Sequence, residues 1–130
     1  MAETVVLTLR RLRFSNRPTE KEVQTEIAKL LRMSGLAFKR EERLGPRSIV
    51  DFFVMGRMMM PGHGLVIEVK KGKPHSTAEV IRQIERYAAF DRVRAVIIVV
   101  GGKLHNPPSE TSNGKPIHYI GLAKLWGVAV

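Results

Sequence analysis

A chain of 130 residues, 44% hydrophobic and 26% charged, has the size and make-up of one soluble domain with its own core. Lys and Arg number 22 against 12 Asp and Glu, and the resulting formal charge of +10 points to a polyanionic partner, nucleic acid or an anionic membrane surface. Cysteine is absent, which excludes a disulfide framework and a thiolate metal site; with neither a transmembrane-length apolar run nor a signal-peptide h-region, a cytoplasmic protein is the simplest expectation.

From the N-terminus, Val5, Leu7 and Leu9 alternate with Val6, Thr8 and Arg10, and this alternation predicts a half-buried strand over Val5 to Phe14. Arg10, Arg11, Arg13 and Arg17 make either its solvated end or a phosphate-contacting patch. Thr19 and Glu22 form a capping box that opens a helix running to about Ser34, with Gly35 as its stop. Val23, Ile27, Leu30 and Leu31 give that helix a buried stripe. Glu26 lies about 60° from Val23, on the flank of the stripe. It is the acid of this helix best placed to look inward, or else a surface glutamate near Lys29.

Three strands follow: Leu36 to Glu42, Ser48 to Met55 beyond a turn over Leu44 to Arg47, and Leu65 to Lys71 beyond a Pro/Gly-punctuated connection. They suggest an antiparallel meander. Met58, Met59 and Met60 in the connection suit packing or a hairpin tip better than a ligand set. After the basic loop Lys71 to His75, Ser76 and Glu79 form a second capping box, and a helix runs to about Asp91. Gln83, Tyr87 and Phe90 share one flank of it by their spacing. Arg94 to Val100 is a buried strand that a helical crossover allows to be parallel to its neighbour. Gly101 to Pro116 reads as a long loop, Ile117 to Leu122 as a last strand, and Ala123 to Val130 as an irregular or short helical end. His63, His75, His105 and His118 show no ligand spacing and read as loop or strand residues.

The chemistry concentrates in Leu65-Val66-Ile67-Glu68-Val69-Lys70 and in Asp51. Strand alternation sends Leu65, Ile67 and Val69 to one face and Val66, Glu68 and Lys70 to the other. Charges in so apolar a strand need partners, since an unpaired buried charge is costly. They form a cross-strand or solvated ion pair, or, with Asp51 inward on a neighbouring strand, a hard-oxygen site for Mg²⁺.

Helix with Glu26, strand, strand with Asp51, strand with Glu68-Val69-Lys70, helix with Gln83 and Tyr87, strand: this order, over roughly Thr19 to Val100, resembles the PD-(D/E)xK nuclease superfamily of restriction enzymes, Holliday-junction resolvases and RecB-like exonucleases. Asp51 matches the family's strand acid, with Val50 where its usual proline falls. Glu68 and Lys70 match its Glu-x-Lys, Glu26 its helix acid with Glu22 as a substitute, and Gln83 and Tyr87 the Gln-xxx-Tyr of RecB-like members. The resemblance implies an α/β fold with a restriction-endonuclease-like core, a mixed sheet flanked by helices in the order αβββαβ. It also implies Mg²⁺-dependent hydrolysis of DNA, with Mn²⁺ as a substitute ion. Asp51, Glu68 and the Val69 carbonyl would hold the metal, and Lys70 would orient water or balance transition-state charge. Glu26 would hold a metal-bound water or a second ion, and Gln83 and Tyr87 would position the nucleic-acid backbone. Arg47, Lys71, Lys73, Arg82 and Arg86 would track phosphates or simply solubilise the surface. An endonuclease or junction resolvase working as a homodimer is the favoured expectation; an exonuclease and a non-catalytic nucleic-acid-binding module are the alternatives.

Overall fold

The computed structural model describes residues 2–14, 18–70, 77–101 and 110–122. It is an α/β structure in which one mixed, six-stranded sheet lies between helices. The elements are α1 (Ala2–Leu9), α2 (Glu20–Met33), β1 (Ala37–Gly45), β2 (Ser48–Met55), β3 (Gly64–Lys70), α3 (Thr77–Ala88), β4 (Val93–Val100), β5 (Thr111–Ser112) and β6 (Lys115–Gly121). The strands lie in the order β1-β2-β3-β4-β6-β5. β1, β2 and β3 form the expected antiparallel meander, while β3–β4 and β4–β6 are parallel.

Two apolar layers clamp the sheet. On one face Val23, Ile27 and Leu31 of α2, with Val5 and Leu9 of α1, pack on Leu65, Ile67, Val69, Ile97 and Val99. On the other, Val80, Ile84 and Tyr87 of α3 pack on Val66, Val96 and Ile98. Every residue of β3 from Gly64 to Val69 is buried, as a strand covered on both faces should be. α2 opens on the capping box: the Glu22 N–H donates to Thr19 Oγ1 and the Glu22 carboxylate accepts from the Thr19 N–H. It closes at Ser34, and Gly35 then turns the chain at φ +70°, a left-handed conformation in which a Cβ is strained.

The N-terminal segment corrects the expectation of a strand. Residues 2–9 are helical, and the buried set is Val5, Val6, Leu9 and Leu12, a helical spacing; Leu7, which carried the alternation, is 66% exposed. Packing against α2 decides the matter, and the Thr8 hydroxyl is satisfied by the Thr4 carbonyl one turn back at 2.9 Å. The expected loop before the last strand contains a short strand, β5, whose Thr111 and Ser112 pair with Pro116 and Lys115, so the last strand begins at Lys115. Asn113 and Gly114 supply the positive φ values of that tight hairpin. The capping box at Ser76, Arg17, and the C-terminal end lie outside the described residues.

Candidate active site

The site begins where β2 and β3 part. Their ladder runs Val54↔Leu65, Phe53↔Val66, Phe52↔Ile67, and the next residues of each strand are Asp51 and Glu68. Here side chains take over from the ladder. The Asp51 N–H donates to Glu68 Oε1 at 3.0 Å, and the Val69 N–H donates to Asp51 Oδ2 at 2.7 Å. Each carboxylate thus satisfies a main-chain donor of the opposite strand. Because Val66 belongs to the layer beneath α3, strand phase carries Glu68 and Lys70 to that same face.

α3 supplies the remaining partners. Glu68 Oε2 accepts from Gln83 Nε2 at 3.0 Å and from the Tyr87 hydroxyl at 3.2 Å, and Lys70 Nζ lies 3.5 Å away. Gln83 and Tyr87 sit one helical turn apart and are joined to each other, Gln83 Nε2 donating to the Tyr87 oxygen at 2.8 Å. The Tyr87 hydroxyl also reaches the Ile49 carbonyl on β2 at 3.3 Å. Two strands and a helix are therefore tied together through one buried carboxyl group.

Burial sets the electrostatics. The Glu68 side chain is 7% exposed, and desolvation, followed by the charge of Asp51, pushes its pKa up to about 7. The Asp51 N–H, Lys70 and Tyr87 pull the other way without cancelling this. Asp51 is also raised, chiefly by desolvation, against the lowering effect of the Val69 N–H and Lys70. The Tyr87 phenol is raised to about 12, by burial and then by the Glu68 charge, and stays a neutral donor near pH 7. Two carboxyl groups in contact that both resist ionisation form a site whose ionised state a cation would stabilise.

That donor set suits a hard divalent ion. Mg²⁺ takes oxygen ligands, needs only one or two carboxylates and keeps several of its waters. Asp51 and Glu68 would provide the carboxylates, and the Val69 carbonyl a main-chain oxygen. Among the described residues, no three or more His, Cys, Asp or Glu side chains form a group that could hold a metal ion. Glu26 accordingly does not join Asp51 and Glu68. It is half-buried on α2, and α2 packs on the face of β3 opposite to the one bearing Glu68.

The basic residues divide. Arg82 and Arg86, both exposed, line a cleft of about 300 Å³ together with Lys70, Glu79, Val80 and Gln83, so they lie beside Lys70 and Gln83, two of the partners of Glu68. Arg47 is exposed in the β1–β2 turn at φ +58°. Lys71 and Lys73 lie outside the described residues.

One further acid stands beside Asp51 that no motif in the sequence marks. The pairs Arg40↔Phe52 and Glu42↔Val50 put Glu41 abreast of Asp51, at φ +50°, and its charge contributes to the upward push on Asp51. Counting back from the β1–β2 turn would have pointed to Glu42 instead, because an irregularity between Arg43 and Gly45 shifts the register by one residue.

No family model, curated protein or solved structure matches this chain. The reading of the site rests on its own residues.

Proposed function

We propose that this chain is a Mg²⁺-dependent deoxyribonuclease built on a restriction-endonuclease-like core, acting as an endonuclease or junction resolvase and working as a homodimer. The observation that carries the reading is the meeting of Asp51 and Glu68 at the parting of two strands, with Lys70 Nζ 3.5 Å from Glu68. Asp51, Glu68 and the Val69 carbonyl would hold the ion, which when bound would supply a Lewis acid for the phosphoryl oxygen and a more acidic water. Lys70 carries a charge preorganised for the anionic transition state. Gln83 and Tyr87 fix the Glu68 carboxylate, so their role here is to position that group rather than the nucleic-acid backbone. Arg82 and Arg86 beside Lys70 supply the cationic wall along which a phosphate backbone would run. A dimer would provide two sites for the two strands, and a two-fold pair is the commonest assembly.

One feature favours a second reading, a nucleic-acid-binding module without hydrolysis. Glu68 Oε2 already has three donors around it, which is how a structural carboxylate is satisfied. Single-turnover assays on linear, circular and four-way DNA, with Mg²⁺, Mn²⁺ or EDTA, separate the two. In the hydrolytic reading Glu68→Ala loses metal binding and cleavage together. Lys70→Ala keeps metal binding and most DNA affinity but cleaves on the order of 10²–10³ more slowly. Cleavage by Lys70→Ala at the wild-type rate would reduce the Glu-x-Lys pair to a structural ion pair.

A further inference from the structure

The connection between β2 and β3 carries an apolar feature that the site does not use. Met58 is 99% exposed and Met60 69% exposed, at the end of a hairpin whose turn is tied by two main-chain bonds. The Met59 N–H donates to the Gly56 carbonyl at 3.1 Å and the His63 N–H to the Met60 carbonyl at 3.0 Å. Met59 anchors the turn by packing on the core beneath α2. Met58 also borders a groove of about 710 Å³ with Leu36, Met55 and Arg57. Two long, unbranched side chains are thus held out into water by an ordered turn, although burial favours such groups.

Charge selects among the groups that could cover them. The segment from Gly56 to His63 contains Arg57 and no acid, on a chain of net charge +10, so its complement is a polyanion with apolar surface between its charges. A nucleic acid has that chemistry: phosphates outside and base faces within, between which methionine wedges enter and unstack a step. The tip lies at the Gly64 end of β3, away from the Glu68 end, so it would be a second contact with nucleic acid, apart from the carboxylates.

We propose that Met58 and Met60 form a wedge that enters a nucleic-acid stack at a discontinuity, a branch, bulge or mismatch, and so make interrupted duplex the preferred substrate. The proposal rests on the nuclease reading above and names its substrate class. Insertion into an intact stack must first break base stacking, whereas an interrupted step has already lost it.

The test is binding in EDTA to a plain duplex and to the same duplex carrying a two-nucleotide bulge flanked by 2-aminopurine, for the wild type and for Met58→Ser/Met60→Ser. Both side chains are exposed, and urea melts are the check that the double variant folds. The wild type should favour the bulged duplex by about tenfold or more and raise the 2-aminopurine fluorescence. The variant should bind plain duplex within about twofold of the wild type, without the preference or the fluorescence rise. A variant that keeps both would overturn the wedge. A wild type that binds and cleaves plain and bulged duplex equally, without unstacking, overturns it while leaving the nuclease reading standing; a wild type that binds no DNA overturns both. Loss of self-association in the variant, read by sedimentation, with discrimination unchanged, would assign the tip to a second copy of the chain instead.

Discussion

Glu68→Gln tests the electrostatics of the site without any substrate. Burial and the neighbouring Asp51 raise the Glu68 carboxyl from its ordinary 4.5 to about 7. A group that binds its proton more tightly when folded than when unfolded stabilises the fold fully below pH 4.5, and that contribution is lost as pH rises to 7. In this window the native state holds more protons than the unfolded one, so unfolding free energy falls with pH. At about 1.4 kcal/mol per pH unit the loss is roughly 3 kcal/mol. Asp51 is raised too, so the titration belongs to the pair, and replacing either acid should reduce it. Urea unfolding in EDTA at intervals from pH 4.5 to pH 8 reads the effect. The wild type should lose roughly 3 kcal/mol more than Glu68→Gln across that range. The variant should start lower by about 1–2 kcal/mol, because an amide cannot accept from both the Asp51 N–H and the Gln83 side chain. Parallel curves for the two proteins would refute a buried, proton-holding Glu68. Repeating the series in excess Mg²⁺ should flatten the wild-type slope, since a bound cation favours the ionised carboxylates.

Tyr87→Phe removes the hydroxyl shared by Glu68 and the Ile49 carbonyl, and should cost about 1–2 kcal/mol in urea unfolding. The same change should move the pH midpoint of the stability loss upward, because that hydroxyl favours the ionised carboxylate. Gly64→Ala should lower stability by about 1–3 kcal/mol in thermal melts. Its Cβ would lie 2.6 Å from the Val54 carbonyl oxygen and 2.9 Å from the Phe53 ring, against buried groups with little room to move.

What was legible in the sequence was local. The Thr19–Glu22 box and Gly35 set the ends of α2, because a cap is a contact within four residues. The two-residue period placed Glu68 and Lys70 on one face of β3, and the 3.6-residue period placed Gln83 beside Tyr87. The α1 segment misled for the same local reason: Val5, Leu7 and Leu9 alternate, and only packing against α2 made the buried set helical. Which groups would meet across the chain lay beyond either period. Glu68 finds Gln83 and Tyr87 because the crossover from β3 to the parallel β4 carries α3 over that face of the sheet. α2 covers the opposite face, which takes Glu26 out of the group. Glu41 comes abreast of Asp51 through a one-residue irregularity in a hairpin register, and no side-chain pattern records that shift. Periodicity fixes the direction of a side chain about its own element; the partners, the burial and the displaced pKa values arise only when separate elements close on one another.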